Sequence, residues 1–473
     1  MYVLALEAST SSAKAMLYQP ETGETLINMK SYPPMNTVEQ DPNIVYNTLC
    51  ESSRELIAAH PDKEVSVVSL GGTWHSVLLC DDEFWPTTPC YAWNYTGASA
   101  LAQGARTNPD YISHYYNLTG GIPNASYPYF KLQLLASRGH RLWESRIMGQ
   151  GSFIFYRLTG EYVSSESMVS GSGLMDITTK KYDPGHLNDL SISEANLPRV
   201  VKWDYSAPLT ERGAERLGVA AGTPVLPAEP DGALNQVGSG GLRPNIMTMS
   251  VGTSGALRLS APSPRLDPGH SVWCYLTPGE DAWLSGAATS GATSVLDWYR
   301  ENHLPPNISY AEMEKNVTPD MDTPVFLPFV FGERSPGWGD HRRGGFIGLK
   351  PHHTWEHMSG AVLEGALFNL KHAYQALMRV NDEPEMIVLS GGILNSAVWT
   401  QMAADILGRT LTPCAEKQNS LLGAALLGMQ YLGLGKAVEY TPPLLDPVAP
   451  NTDSVRIYLE KFGRYLDAYK TEA

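Results

Sequence analysis

The sequence predicts a mixed α/β protein of two lobes with a ligand-binding cleft between them. At 473 residues the chain is too long for one hydrophobic core. A strand–turn–strand pattern opens the chain and recurs near its middle, which indicates a duplicated architecture. Strands and helical segments occur in both halves, and a cleft between two such lobes is the usual place for a ligand.

Two predicted hairpins open the two halves. In the first, the apolar run Tyr2–Leu6 stops at a small polar turn and resumes at Ala15–Tyr18. In the second, Ile246–Val251 leads into Gly252-Thr-Ser-Gly255, and Ala256–Leu259 follows. Each hairpin is expected to lie in the central sheet of its half.

The domain boundary is predicted in the Gly-rich segment Gly238–Pro244, which gives domains 1–240 and 241–473. Apolar periodicity, Thr354 as a helix cap and Gly408 as a helix end predict several helices. Their expected ranges are 129–139, 142–160, 354–380, 397–407 and 421–434.

Composition and charge exclude several classes of function. The chain has 34 basic and 49 acidic residues, a net charge of −15, so a nucleic-acid partner is not expected. The five cysteines are scattered and include no C-x-x-C pair, which favours buried free thiols in a reducing cytosol. No run approaches the roughly 18 apolar residues of a membrane span, and we expect a cytoplasmic location.

Neither of two common nucleotide motifs is present. The sequence contains no Gly-x-x-x-x-Gly-Lys-Ser/Thr and no Gly-x-Gly-x-x-Gly after a strand. The two hairpin turns remain, because small and hydroxyl residues allow backbone N–H groups to approach phosphate oxygens. Each turn alone is typical of an ordinary hairpin, whereas one in each half favours phosphate binding.

Other segments allow both a structural and a functional interpretation. Asp231, in Pro230-Asp231-Gly232, could be a turn residue or a base that faces the cleft. Gly391-Gly392 could turn a strand into a helix or border an adenine ring. His75, beside Trp74, and the Trp93-Asn94 pair could be core residues or line a polyol pocket. The small-residue turn at 286–291 is typical of a plain loop.

At this point the sequence resembles the FGGY carbohydrate kinases over nearly its whole length, from Tyr2 to Gly435. The resemblance is carried by the order of several segments. They are the first turn, Pro230-Asp231-Gly232, Gly252-Thr-Ser-Gly255, Phe331–Pro336 with Arg343–Leu349, Ser390–Asp405 and Asn419–Ala425. It implies the fold shared by actin, hexokinase and the heat-shock chaperone ATPases, which is of the ribonuclease H type, with an interdomain cleft.

The resemblance also implies roles for individual residues, with ATP and Mg²⁺ as cofactors. Asp231 would be the catalytic base and, with Glu7, a magnesium ligand. The nucleotide would contact Thr10, Ser11, Ser12, Lys14, Gly252, Thr253, Gly291, Gly391, Gly392 and Asn395. The sugar would contact Trp74, His75, Trp93, Asn94, Lys131, Asp231 and Arg258.

Within the family, three details resemble gluconate kinases. They are Arg258 after the second turn, the Asp231-Gly232 pair and Trp74-His75-Ser76. A substrate carboxylate would suit Arg258 or Lys131, since arginine offers a planar pair of donors.

The sequence departs from the family's pattern in two segments. Glu7 and Ser9 stand where the first motif usually has aspartate and glycine, and Tyr95 and Gly97 replace an acidic residue and an arginine. The first departure bears on ATP affinity and rate, and the second on the identity of the substrate.

The leading hypothesis is phosphoryl transfer from MgATP to a sugar or sugar acid, with gluconate favoured. A pentulose such as xylulose and a polyol remain alternatives. A catalytically weak sugar- or nucleotide-binding protein and an actin- or chaperone-like ATPase are the competing classes. The expected partner is a small molecule, with a homodimer possible.

Overall fold

The computed structural model describes residues 1–471. The strands of the first half are β1 (Tyr2–Ala8), β2 (Ser12–Tyr18), β3 (Thr25–Ser31), β4 (Glu39–Gln40), β5 (Val65–Gly72), β6 (Leu78–Cys80), β7 (Cys90–Tyr91), β8 (Arg146–Met148), β9 (Val163–Ser165), β10 (Met175–Asp176), β11 (Lys181–Tyr182), β12 (Arg199–Val201), β13 (Ala207–Pro208), β14 (Pro224–Val225) and β15 (Glu229–Pro230). Its helices are α1 (Pro42–Ala59), α2 (Ser99–Ala105), α3 (Pro109–Thr119), α4 (Pro128–Ser137), α5 (Gln150–Thr159), α6 (Glu166–Ser170), α7 (Pro184–Asp189), α8 (Glu211–Leu217) and α9 (Asp231–Gly238).

The second half continues in the same manner. Its strands are β16 (Ile246–Val251), β17 (Gly255–Ala261), β18 (Trp273–Leu276), β19 (Trp283–Thr289), β20 (Val325–Leu327), β21 (Gly345–Ile347), β22 (Met386–Ser390) and β23 (Thr412–Pro413). Its helices are α10 (Thr293–His303), α11 (Tyr310–Glu314), α12 (Trp355–Met378), α13 (Ala397–Leu407), α14 (Asn419–Tyr431) and α15 (Thr452–Thr471).

The central sheets of the two halves share the same order of inner strands and differ at their edges. The first runs β13-β14-β5-β1-β2-β3, with β15 also on β5, and the second runs β18-β19-β17-β16-β22-β23. β1 pairs antiparallel with β2 and parallel with β5, as β16 does with β17 and β22. The structure therefore contains the predicted duplication, with a hairpin at the centre of each sheet.

Local signals account for the long helices of the second half. Thr354 caps α12 with a capping box, and α13 ends at Gly408, whose φ of 71° is left-handed. α14 spans Asn419–Tyr431, so it begins and ends a few residues earlier than the predicted range of 421–434. Most of its residues are buried.

The single helix predicted over 142–160 is wrong. A short 3₁₀ turn is followed by β8, which pairs antiparallel with β6, and α5 begins only at Gln150. Gly149 is extended, with φ −88° and ψ 169°, and separates strand from helix. Pairing with the distant residues Leu78–Cys80 overrides the local helical pattern here.

One helix of the second half packs against the first sheet. α14 lies against α9, β1 and β5, and Leu421, Leu426 and Leu427 share a core with Val3 and Val67. This contact brings the start of α14 to the end of β1. The boundary predicted at 240/241 falls in the connection between α9 and β16.

All five cysteines are buried and free. Among the described residues, none of the helices combines the length and the apolar character that crossing a bilayer requires.

Candidate active site between the lobes

The first hairpin places a buried carboxylate behind its turn. Glu7 lies opposite Lys14 in the pairing of β1 with β2 and is 2% exposed. Its carboxylate accepts from Lys14 Nζ at 3.0 Å and from Ser420 Oγ, at the start of α14, at 2.5 Å. Glu7 therefore joins the first hairpin to a helix of the second half.

Side-chain hydrogen bonds hold the turn itself. Ser9 Oγ donates to the Ser12 carbonyl at 2.8 Å, and Gln40 Nε2 donates to the Thr10 carbonyl at 2.8 Å. Trp93 Nε1 donates to Thr10 Oγ1 at 3.1 Å, and Ser11 is exposed at the tip. The structure thus brings Thr10, a predicted phosphate contact, against Trp93, a predicted sugar contact.

The second turn is held by backbone groups. The Gly252 N–H donates to the Ser254 carbonyl at 3.0 Å, and the Thr293 N–H, at the start of α10, donates to the Gly252 carbonyl at 2.8 Å. The Ala292 N–H donates to the Thr253 carbonyl at 3.1 Å, while the Thr253 side chain is exposed. These bonds use the N–H groups of Gly252, Ala292 and Thr293, so the exposed Thr253 hydroxyl is the donor that suits a phosphate oxygen.

The glycines predicted at the nucleotide end gather around this turn. Gly391 has a φ of 99°, and a Cβ there would lie 2.5 Å from the Val251 carbonyl oxygen. Gly392 and Asn395 follow it on the exposed surface. Gly291 is buried, and a Cβ there would lie 2.5 Å from Val295. Only glycine allows such close approach without rearrangement.

Asp231 is the first residue of α9, at the end of the strand that pairs with β5. Burial, which is the largest cause, and the charge of Glu7 raise the pKa of Asp231 to about 6. The Gly232 N–H, which lies 2.7 Å from Oδ1, and the Arg258 guanidinium act in the opposite direction. A carboxylate with a pKa near neutrality suits general-base catalysis.

Gly232 leaves room beside Asp231 for two larger side chains. A Cβ at this position would lie 3.2 Å from the Trp74 ring and 3.4 Å from Arg258 Nη2. Arg258 Nη1 donates to Ser250 Oγ at 3.2 Å, whereas its buried Nε has no partner among the described residues. Burial lowers the pKa of Arg258 to about 10, so the guanidinium is charged at neutral pH.

His75, next to Trp74, is a neutral imidazole. Its Nδ1 lies 2.5 Å from the Gly171 carbonyl, which requires a proton on Nδ1 and leaves Nε2 as an acceptor. Burial lowers the pKa of His75 to about 3. The ring stacks on Trp74, whose Nε1 donates to the Ser167 carbonyl.

The position of Lys131 differs from the predicted one. It is 1% exposed, and its ammonium donates to the carbonyls of Ala92 at 2.6 Å, His75 at 2.7 Å and Tyr91 at 3.4 Å. Its three N–H donors are therefore used within the protein. The structure places Lys131 behind the pocket, where it supports His75 and the segment that leads to Trp93.

A cleft of about 900 Å³ separates the lobes and is lined by both halves. Residues that line it include Trp93, Asn94, Asn124, Thr253, Arg334 and Asp340. Asp340 crosses the cleft, because its carboxylate accepts from Arg106 Nη2 at 3.3 Å and from Asn124 Nδ2 at 3.1 Å. Sequence reasoning missed individual roles for these three and for Arg334, although Arg334 lies within the quoted segment Phe331–Pro336.

The carboxylates of Glu7 and Asp231 fit a magnesium ion. Both are partly or fully buried, and Glu7 lies close enough to raise the pKa of Asp231. Lys14 already offsets part of the charge of Glu7. A divalent cation would add to that compensation and offset the charge of Asp231, and Mg²⁺ prefers carboxylate oxygens.

A second cluster of possible metal ligands lies outside the cleft. Asp322, His352 and His353 lie close together, and Lys350 Nζ contacts the Asp322 carboxylate at 2.7 Å. The Lys350 N–H donates to His353 Nδ1 at 3.1 Å, which places the proton of the neutral ring on Nε2, the atom facing Asp322. That proton opposes metal binding.

The duplicated fold and the two turns, one from each lobe, are the arrangement that a two-lobed kinase requires. The N-terminal domain model of the FGGY family of carbohydrate kinases matches residues 2–238, and the C-terminal domain model matches 247–431. The chain belongs to this family and is a carbohydrate kinase.

Individual relatives differ in their substrates. The chain is 28% identical to a gluconokinase of Bacillus subtilis over 91% of its own length and 88% of the relative's. The solved gluconate kinase of Lactobacillus acidophilus superposes with a TM-score of 0.93 at 25% identity, covering 99% of this chain and 98% of that one. A xylulose kinase of the same organism gives 0.93 at 26%, with the same coverage.

Proposed function

We propose that the protein transfers the γ-phosphoryl group of ATP to a hydroxyl of a sugar acid, with gluconate as the first candidate. One observation carries the choice of a sugar acid. Arg258 is charged and half-buried beside Asp231, and its Nε has no partner among the described residues. A half-buried guanidinium with an unused donor favours a ligand that brings a negative charge.

Asp231 would accept the proton of the attacking hydroxyl. With a pKa of about 6, it is mostly ionised at pH 7 yet more basic than an ordinary aspartate. Trp74 and His75 would form the wall against which the sugar is oriented, with His75 Nε2 accepting from a second hydroxyl. Orientation of the acceptor matters because phosphoryl transfer depends mainly on positioning and charge stabilisation.

The nucleotide would lie at the second turn and its glycines. Backbone N–H groups and hydroxyls near Thr253 and Thr10 would donate to the phosphates, with Gly391, Gly392 and Asn395 at the adenine. Glu7 and Asp231 would hold Mg²⁺, which supplies positive charge to offset that of the phosphates. The bonds from Arg106 and Asn124 to Asp340 support closure of the lobes, which would keep water from replacing the sugar.

A substrate panel tests the choice of acceptor. ATP consumption would be measured with gluconate, other sugar acids, xylulose and neutral polyols. We expect the highest kcat/KM with gluconate or another sugar acid. Preference for xylulose or a polyol would replace the sugar acid with one of the alternative substrates, and tight binding without turnover on any compound would indicate a binding protein.

The variant Asp231→Asn tests the base. We expect kcat to fall by about 10²–10⁴-fold, the usual contribution of a general base, with little change in sugar or ATP binding. Near-normal turnover by this variant would exclude Asp231 as the base.

Stability provides a second readout for the same variant. Because the pKa of Asp231 is raised in the folded state, its stabilising effect is present below pH 4 and is lost as the pH rises through about 6. Asp231→Asn should therefore raise the free energy of unfolding at pH 8, by up to about 3 kcal/mol, and should have little effect at pH 4. Chemical denaturation at the two pH values measures this difference.

A further inference from the structure

The last turn of α15 holds the base of a loop that lines the cleft, 333–342. Glu333 is 1% exposed, and its carboxylate accepts from Tyr469 Oη of α15 at 2.6 Å and from Arg342 Nη1 at 3.2 Å. Arg342 Nη2 in turn donates to the Tyr469 carbonyl at 2.6 Å. Tyr469 is therefore bonded to both ends of the loop.

The ring of Tyr469 is packed in place. The Arg342 guanidinium lies 4.0 Å from its centroid. The rings of Phe329 and of His372 in α12 meet it edge to face, at centroid distances of 5.9 and 4.7 Å. The hydroxyl thus has a fixed direction toward Glu333, and its removal alone would leave this packing intact.

Backbone hydrogen bonds extend these contacts to Asp340. The N–H groups of Glu333 and Arg342 both donate to the Gly339 carbonyl, at 3.1 and 3.0 Å. The next residue, Asp340, accepts hydrogen bonds from two residues of the first lobe, across the cleft. The two residues that Tyr469 holds therefore hold the residue that precedes this bridge.

We propose that Tyr469 is a positioning residue for closure of the cleft. Through Glu333 and Arg342 it keeps Asp340 where its carboxylate bridges the lobes, which favours the closed state that excludes water during phosphoryl transfer. The match to the family's C-terminal domain ends at residue 431, so this role falls on a helix beyond the matched region. It does not depend on which sugar is the acceptor.

The test compares Tyr469→Phe with the matched control Tyr465→Phe. Tyr465 lies one turn earlier on α15 and is buried, and its hydroxyl has no hydrogen-bond partner among the described residues. Each variant keeps its ring and loses one hydroxyl. Steady-state kinetics would use ATP and whichever compound of the substrate panel has the highest kcat/KM.

We expect Tyr469→Phe to raise the KM for that acceptor about fivefold and to change kcat less than about twofold. A smaller closed population lowers the apparent affinity, whereas saturating substrate restores closure and with it the rate. Tyr465→Phe should leave both parameters unchanged. A hydroxyl that served only to stabilise the fold would reduce the amount of active enzyme and leave KM as it is.

Hydrogen exchange provides a readout that needs no substrate. In Tyr469→Phe the backbone N–H groups of 333–342 should exchange about tenfold faster, because a hydrogen bond to a buried carboxylate is lost. Those of α12 and of the same loop in Tyr465→Phe should keep their rates. Mass spectrometry of peptides from the three proteins measures this difference.

The variant Asp340→Ala shows whether the effect passes through the bridge between the lobes. It should raise the acceptor KM by itself. Adding Tyr469→Phe should then raise KM no further, because residues that act through one contact are not additive.

Several results would overturn the inference. They are an unchanged KM in Tyr469→Phe, equal effects of Tyr469→Phe and Tyr465→Phe, a further rise in KM when Tyr469→Phe is added to Asp340→Ala, and unchanged exchange in the loop. If the wild type turns over no compound of the panel, the proposed function fails, and the exchange rates alone decide whether Tyr469 holds the loop.

Discussion

The two central hairpins share one topology but contribute different chemistry to the cleft. One step back from its turn, the first hairpin pairs Glu7 with Lys14, whereas the second pairs Ser250 with Ala256 at the matching step. The first turn is held by side-chain bonds, and the second by backbone bonds to the start of α10. Duplication thus provides two equivalent positions, and the sequence places an ion pair at one and small, uncharged residues at the other.

Removing the charge from the first hairpin is the strongest way to test this division. In Glu7→Gln we expect kcat to fall by about 10²–10³-fold, the usual loss when a preorganised electrostatic group is removed from an active site. Steady-state kinetics over a range of Mg²⁺ concentrations measures the loss and any increase in the Mg²⁺ required.

Ser420→Ala is the control for that variant, because it removes one donor to the Glu7 carboxylate and keeps the charge. We expect its kcat to change less than tenfold. Equal losses in the two variants would mean that the contact between β1 and α14, and not the charge, is what matters.

A methyl group added at Gly391, beside the second hairpin, should have a smaller effect than the loss of charge at Glu7, and mainly on stability. In Gly391→Ala the new Cβ would lie 2.5 Å from the Val251 carbonyl oxygen, at a φ of 99°. Such strain costs about 1–3 kcal/mol, so we expect a lower Tm and a higher KM for ATP. Thermal unfolding and ATP titration measure both.

The first sheet offers the matched variant. Gly72 ends β5 beside β1 as Gly391 follows β22 beside β16, yet a Cβ at Gly72 would meet its nearest atom, Gly151 Cα, only at 3.7 Å. Gly72→Ala should therefore leave Tm and the KM for ATP nearly unchanged. A similar loss in both variants would remove the distinction drawn here between the two hairpins.

The parts of this fold that depend on residues close together in the sequence were predictable. Apolar runs on either side of small residues predicted both hairpins, and a capping threonine and a terminal glycine predicted α12 and α13. The segment 142–160 failed because β8 exists only through its pairing with β6, far away in the chain. Local periodicity contains no information about such a partner.

The candidate site divides in the same way. The segments around Asp231 and the two turns could be found from their residue types and their order. The contact of Ser420 with Glu7 and the enclosure of Lys131 by carbonyls link distant segments, so no local pattern indicated them. The residues at 95 and 97 depend on each other, because a Cβ at Gly97 would lie 2.3 Å from Tyr95 Oη.

The smallest expected effect concerns pH and links the first hairpin to the base. Because the base must be ionised, kcat/KM should fall below about pH 6, by tenfold per pH unit well below the pKa of Asp231. The charge of Glu7 raises this pKa, so Glu7→Gln should move the acidic limb to lower pH, and Arg258→Gln should move it to higher pH. Profiles of kcat/KM from pH 4.5 to 8 measure both shifts, and a limb that stays in place in both variants would assign it to a group other than Asp231.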